Sequence, residues 1–281
     1  MMFKGKNIFN ASFDVYAGNY HNVRPGYPSA MYEDIKKHCE LDEDSSMLEI
    51  GSGSGIATVE LAKIGSRVVG IEPGSNLASI AKAQVQEYKK AEVLEGTFED
   101  FSSDEQFDAV LAFTAFHWLN EGERYEKILS LLNDSGSFVL VWNSFFQDES
   151  QATVDVNKTY HELLPDVYPE VSNVAAVNAG VLSKLNGREQ EVVASPLFTT
   201  VLLKKYYSLY NYDKDTYPKL LNTYPKIVRV DEVRRLEFLE RISEVVKKHG
   251  GISVPVLTTL IICKQRQYFL EQMENSQPEK E

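Results

Sequence analysis

Met47-Leu48-Glu49-Ile50-Gly51-Ser52-Gly53-Ser54-Gly55 is the stretch that decides the fold. Met47 to Ile50 reads as a buried strand, and Ile56 to Ile64 as a helix that stops at Gly65. The glycines between them allow a tight strand-to-helix turn and let a ligand approach the main chain with no Cβ in the way. A dinucleotide fingerprint places its third glycine three residues after the second. Here Ile56 holds that place and the third glycine comes early, at Gly55, which suits a pyrophosphate on the helix N-terminus less well. Glu49 would also repel a pyrophosphate, but it suits a ligand that carries an ammonium group. Glu72 follows a β-branched strand, Arg67 to Ile71, and stands 21 residues after Gly51. An acid at that distance, at the tip of the second strand, can accept both hydroxyls of a ribose.

Outward from this turn, strands and helices alternate. Leu77 to Tyr88 reads as a helix with Ser75 or Asn76 as N-cap, and Glu92 to Glu95 as a short strand. Phe107 to Phe113 and Ser137 to Trp142 are further strands, with a helix around Arg124 to Leu132 between them. Such alternation implies right-handed crossovers and a mostly parallel sheet. The later chain changes character. Helical stretches from Glu149 to Leu185 are broken by Pro165 and Pro169. Phe198 to Tyr207 is β-prone, and Val254 to Lys264 is a last strand. Between them Asp231 to Lys248 is helical, with Val233, Leu236, Leu239, Ile242, Val245 and Val246 at core spacing. Glu237–Arg241 and Glu244–Lys248 are candidate i,i+4 pairs on it, and Gly250-Gly251 ends it. The two late strands are expected to pair antiparallel at one end of the sheet. The helices before and between them should lie over its carboxyl edge. The fold class is therefore α/β, a doubly wound, mostly parallel seven-stranded sheet with an antiparallel late strand and a helical cap.

The chain has 281 residues, and 41 acidic residues against 29 basic ones give a formal charge of −12. An acidic chain with no basic stripe repels polyphosphate, so nucleic acid is not an expected partner. No apolar run reaches the roughly 20 residues needed to cross a bilayer. Residues 1–10 carry two lysines with no apolar stretch behind them, so no signal peptide is expected. Cys39 and Cys263 lie far apart and in no metal-ligand spacing, which argues against a disulfide framework and against a metal site. A cytoplasmic monomer or homodimer acting on a small molecule fits these observations.

The motifs resemble those of the class I S-adenosylmethionine-dependent methyltransferases. Glu49-x-Gly51-x-Gly53-x-Gly55 is similar to that family's first motif, and Ile71-Glu72-Pro73 to its second. Gly96-Thr97-Phe98-Glu99-Asp100-Phe101 is similar to the loop that contacts adenine. Thr97 stands where the family often has an acid, which leaves Glu99 or the backbone for that contact. Phe107-Asp108-Ala109-Val110, then Ala115-Phe116-His117-Trp118, resembles the fourth strand and the substrate-facing residues beyond it. The His-Trp pair, Phe13-Asp14, Tyr20, Arg24-Pro25-Gly26-Tyr27-Pro28 and Thr223-Tyr224 resemble a small-molecule branch that includes the trans-aconitate methyltransferases. The resemblance implies the Rossmann-like methyltransferase fold and S-adenosyl-L-methionine as cofactor. It also implies a helical lid in 1–45, a cofactor-binding core in 46–143, cap insertions with the last two strands in 144–265, and a polar tail in 266–281.

On that resemblance the cofactor contacts are Tyr20, Arg24, Glu49, Gly51, Ser52, Gly53, Gly55, Glu72, Pro73, Thr97, Phe98, Glu99 and Phe113. His117 is the candidate general base, following the fourth strand at the edge where open α/β sheets bind ligands; its alternative is packing, together with Trp118, of the next helix. Tyr16, Trp118, Trp142, Asn143 and Tyr224 are candidate substrate contacts, with Arg229 beside them. Phe13, Tyr16, Tyr20 and Tyr27 form a candidate aromatic lid; alternatively Phe13, Tyr16 and Tyr20 are one packed face of a helix. Arg24 could pair with a carboxylate of the cofactor or of an acidic substrate. His21, His38, His161 and His249 read as isolated. Two other functions compete. One is a protein that binds S-adenosylmethionine for regulation without turnover. The other is a nicotinamide-dependent oxidoreductase using Tyr210 and Lys214, which the glycine spacing and Glu49 disfavour.

Overall fold

The computed structural model describes residues 21–168 and 173–269. Phe13, Tyr16, Tyr20 and Pro169 lie outside the described residues. The strands are β1 Ser46–Ile50, β2 Arg67–Glu72, β3 Ala91–Glu95, β4 Phe107–Phe113, β5 Leu132–Phe145, β6 Phe198–Tyr212 and β7 Ile252–Gln265. They form one seven-stranded sheet in the order β3-β2-β1-β4-β5-β7-β6. The first five pair in parallel, while β7 runs antiparallel to both β5 and β6.

Continuous apolar runs in β1, β2 and β4 are what a parallel sheet covered on both faces requires. Successive residues of a strand point to opposite faces. Leu48, Ile50, Val110, Phe138, Leu140 and Trp142 accordingly pack on one side with Phe116, Ile128, Leu131 and Val192. Met47, Val68, Leu111, Val139 and Val141 pack on the other with Met31, Ile35, Ala57 and Leu61. The first six helices in chain order are α1 Ser29–His38, α2 Ile56–Ala62, α3 Ser75–Val85, α4 Arg124–Leu131, α5 Gln151–Leu163 and α6 Val174–Val193, of which α1, α2, α4 and α6 supply most of these partners. Three more, α7 Thr216–Leu221, α8 Pro225–Val228 and α9 Glu232–Lys248, belong to the cap. With α5 they share a separate core containing Val156, Leu220, Ile227, Phe238, Ile242 and Val254. The sheet order reverses at β1, whose neighbours β2 and β4 leave on opposite sides, so a crevice opens at the carboxyl ends of β1 and β4.

Several local expectations change. The N-cap of α3 is Gly74, one residue before Ser75. The α5–α6 break carries its own cap, since Asn173 accepts the N–H of Ala176. Asp231 caps α9 by accepting the N–H groups of Val233 and Arg234. The buried face of α9 is Arg235, Phe238, Ile242 and Val246, whereas Val233 is 75% and Leu236 57% exposed. Arg235 turns inward because its Nη1 donates to the carbonyls of Val228 and Val230 where α8 ends. On the outer side of α9, Arg241 pairs with Glu244, and Lys248 reaches Asp155 on α5. His249 is not isolated either, for its Nε2 lies 2.9 Å from the same Asp155 carboxylate. Residue 266, assigned to the tail, is tied to the body: Arg266 donates to the carbonyls of Ser195 and Phe198.

Candidate cofactor and substrate site

Beyond β1 the chain turns sharply. Gly51 adopts φ +70°, and both its N–H and that of Ser52 donate to the Ile71 carbonyl of β2. A Cβ on Gly51 would sit 2.6 Å from the Cβ of Ala115, so no side chain fits between the turn and the segment after β4. Gly55 (φ +86°) caps α2, and a Cβ there would stand 3.1 Å from Cα of Ala81 on α3. Its bareness thus serves helix packing. That of Gly51 serves the approach of Ala115, and not directly a ligand.

Glu72 ends β2 and is anchored by the same turn. Its Oε2 accepts the N–H of Gly53 at 2.9 Å and its Oε1 that of Gly74 at 2.8 Å. With both oxygens engaged, the carboxylate plane is fixed at the tip of the strand. Glu49 lies one residue before the turn and is 1% exposed. The Thr58 hydroxyl donates to its Oε2 at 2.6 Å. Burial pushes the Glu49 carboxyl up to about 7; the Glu72 charge adds to the shift and the Thr58 hydrogen bond opposes it.

Glu49 and the turn from Gly51 to Ser54 border a pocket of about 500 Å³, open mouth included, whose wall does not itself contain Gly55 or Glu72. Its walls are Arg24, Pro25, Tyr27, Glu49, Gly51, Ser52, Gly53, Ser54, Ile56, Ala57, Phe113, Thr114, Asn143 and Phe145. Seven of the sequence-derived candidates therefore meet at one place: Arg24, Glu49, Gly51, Ser52, Gly53, Phe113 and Asn143. Arg24 is brought there by residues far along the chain. Its Nε donates to Thr223 Oγ1 at 2.9 Å and its Nη2 to the Thr223 carbonyl at 3.1 Å. The same guanidinium lies 4.9 Å from the ring centre of Tyr224 and 5.7 Å from that of Phe145. Asn143 lines the pocket, but its amide is already committed. Its Nδ2 donates to Gly26 and Pro25, and its Oδ1 accepts the Thr258 hydroxyl. It thereby fastens the Pro25–Gly26 segment onto β5.

Seven wall residues were not among the cofactor and substrate candidates: Pro25, Tyr27, Ser54, Ile56, Ala57, Thr114 and Phe145. Ser54 bonds His21 across 3.2 Å, so His21 is engaged with the glycine turn. Thr114 holds φ +56°, a strained value for a β-branched residue, and accepts the Asn143 N–H. Tyr27, named above only for a lid, reaches Thr114 Oγ1 and meets the Phe113 ring edge-on at 5.0 Å. Phe145 shares the strand face of Asn143, and two-residue alternation from Asn143 could have found it.

The remaining candidates lie outside this wall. Thr97 bonds Asp100, Phe98 is a core residue 4% exposed, and Glu99 accepts the Asn120 N–H. Pro73 joins Glu72 to the α3 cap Gly74. His117 and Trp118 form a 3₁₀ turn, Phe116–Trp118, with their rings 4.7 Å apart. Burial, then the charges of Arg188 and Arg124, bring the His117 imidazole down to about 3. Trp142 is 1% exposed and points into the core on the face opposite Asn143. Arg229 is exposed. Tyr210 donates to the Gly26 carbonyl and Lys214 pairs with Asp215, so these two side chains are engaged away from each other. Among the described residues no group of His, Cys, Asp and Glu could hold a metal ion, and no helix is long and apolar enough to cross a membrane.

Comparison with known proteins bears on this geometry. Residues 48–140 match the model of a methyltransferase domain. An uncharacterized methyltransferase of Bacillus cereus is 33% identical over 58% of this chain and 81% of its own length. A probable S-adenosylmethionine-dependent methyltransferase of Saccharomyces cerevisiae is 33% identical over 47% of this chain. A putative methyltransferase of Dictyostelium discoideum is 32% identical over 57% of it. The matches span only 46% and 60% of the length of these last two relatives. In fold, a putative type II methyltransferase from Anaeromyxobacter dehalogenans superposes with a TM-score of 0.57 at 18% identity, covering 86% of this chain and 97% of that one. A Geobacter sulfurreducens methyltransferase, solved in complex with S-adenosyl-L-homocysteine, gives 0.53 at 14% identity, covering 91% and 98%.

Proposed function

The chain belongs to the S-adenosylmethionine-dependent methyltransferases, and on that premise we propose that it transfers a methyl group to a small, acidic molecule by in-line displacement. The observation that carries this reading is the pair of carboxylates around one glycine turn: Glu72 pinned by two backbone N–H groups, and Glu49 buried in the pocket wall.

The residues present fit the cofactor. A buried carboxyl titrating near neutrality gains from a cation beside it, and the ammonium of the methionine moiety is one. The Ser52 hydroxyl is buried with no partner, so a donor or acceptor stands ready there. When bound, the cofactor supplies a methyl group on a sulfonium, with a neutral thioether as leaving group. In this reading Glu49 faces the ammonium, Arg24 the carboxylate and Glu72 the ribose hydroxyls. The rings of Phe113 and Tyr27 offer their faces to the sulfonium charge. Alignment and exclusion of water are then the protein's main tasks.

His117 is better read as a neutral hydrogen-bonding group than as a general base, because two guanidinium groups and burial hold its proton affinity low. An acceptor that is already anionic needs no base, and this favours an acid. The His117-Trp118 pair and the Arg24–Thr223 link support placing the chain near the trans-aconitate methyltransferase-like branch.

The test combines calorimetry with S-adenosylhomocysteine and a release assay for the same product across carboxylates, phenols and amines. Binding together with turnover on a carboxylate is expected. Binding with no turnover on any acceptor would instead indicate a regulatory binding protein. No binding would refute the cofactor site.

A further inference from the structure

Across the sheet from the cofactor pocket, three buried nitrogen atoms have no hydrogen-bond partner among the described residues: Trp142 Nε1, His117 Nδ1 and Arg124 Nε. Trp142 is 1% and Arg124 6% exposed, so bulk solvent does not reach them. Buried polar groups are almost always paired, so a cluster that is not calls for a specific explanation, a bound ligand being one. The Arg188 guanidinium, on the inner side of α6, faces the same place, 5.9 Å from the centre of the Trp142 ring.

Arg188 makes no hydrogen bond or ion pair among the described residues, because the acids beside it on α6 are engaged elsewhere. Glu189 pairs with Lys205 at 2.8 Å. Glu191 takes Arg124 at 2.5 Å and the Tyr125 hydroxyl at 2.8 Å. Burial lowers the proton affinity of Arg188, and the Glu191 charge only partly restores it. The Arg188 charge is also felt at His117, which stays neutral and so keeps one ring nitrogen able to donate. A guanidinium fork, an indole N–H and a neutral imidazole, in a chain of net charge −12, form a local excess of donors and positive charge. The group that completes such a set is a planar oxyanion.

Trp142 precedes Asn143 on β5 and His117 follows Thr114 by three residues, so the set lies at the same carboxyl end of the sheet as the cofactor pocket, with the Trp142 side chain on the opposite face from Asn143. We propose that Arg188, Trp142 and His117 form an oxyanion subsite that seats a carboxylate of the methyl acceptor. The role of its occupant as acceptor rests on the methyltransferase reading; the subsite itself does not.

The experiment is calorimetry on the full chain, free and loaded with S-adenosylhomocysteine. Maleate and citrate serve as probes, dimethyl maleate as the uncharged control and inorganic phosphate as the competing oxyanion. Maleate or citrate should bind and the diester should not. Arg188→Gln should weaken binding at least tenfold, Arg188→Lys less, because it keeps the charge and loses the fork, and Trp142→Phe severalfold. Affinity for S-adenosylhomocysteine should stay unchanged in Arg188→Gln and the midpoint of thermal unfolding nearly so, since among the described residues that side chain makes no hydrogen bond or ion pair and touches the fold chiefly at the Trp142 ring. The subsite is overturned if neither carboxylate binds the wild-type chain, if Arg188→Gln binds them equally well, or if the diester binds as tightly. Tighter binding of phosphate than of either carboxylate overturns the carboxylate assignment. Binding of S-adenosylhomocysteine without either carboxylate refutes this inference alone, whereas Arg188-dependent carboxylate binding without S-adenosylhomocysteine refutes the methyltransferase reading.

Discussion

Lowering the pH from 8 to 6 should weaken cofactor binding about tenfold, and the effect should vanish in Glu49→Gln. The Glu49 carboxyl titrates at about 7 in the ligand-free protein. If the bound ammonium requires the ionised form, affinity falls by the factor 1 + 10^(7 − pH). That factor is about 1.1 at pH 8 and about 11 at pH 6, a difference of about 1.4 kcal/mol. The same group makes a linked prediction for folding. Its folded pKa is raised above the unfolded value, so between roughly pH 4.3 and pH 7 the folded state holds more protons. Stability of the ligand-free chain should therefore fall as pH rises through that window, by roughly 4 kcal/mol in total. Glu49→Gln removes the buried charge and should raise the unfolding midpoint at pH 8 while weakening S-adenosylhomocysteine. Calorimetry of both proteins at pH 6, 7 and 8, with thermal melts at the same pH values, reads both effects. A wild-type affinity independent of pH, or a Glu49→Gln protein that binds like the wild type, refutes the ammonium assignment.

Three further outcomes follow from the geometry. Gly51→Ala forces a Cβ to within 2.6 Å of Ala115 at φ +70°, and urea unfolding should show a loss of about 2 kcal/mol or more before any ligand is added. The rate of methyl transfer should show no imidazole inflection between pH 5 and 8, because His117 titrates at about 3; an inflection abolished by His117→Gln would restore it as the base. Thr223→Val removes the acceptor for Arg24 Nε, and S-adenosylhomocysteine should bind several-fold more weakly by calorimetry, by roughly 1 kcal/mol.

Local pattern in the sequence was enough to place the sheet strands, the glycine turn and Glu72. Each depends on a short-range rule: apolar runs for strands buried on both faces, and bare residues where the chain must reverse within a few positions. The face of α9 was not legible. Two apolar stripes compete on that helix, and the one that turns inward carries Arg235, whose Nη1 donates to the carbonyls of Val228 and Val230 at and just beyond the end of α8. The site was legible where it is one segment and illegible where segments meet. Nothing near Arg24 announces Thr223, 199 residues away, and nothing near Trp142 announces Arg188. Proton affinities were equally out of reach. Glu49 and His117 are ordinary residues in the sequence, and they depart from their usual ranges only when packing strips water from them and sets charges beside them.

By itself, then, the sequence determined the architecture and the turn, because backbone sterics and hydrophobic periodicity act over a few residues. Only the tertiary structure decided which side chains share a pocket and which stay charged, because desolvation and long-range hydrogen bonds do not exist until the chain has closed on itself.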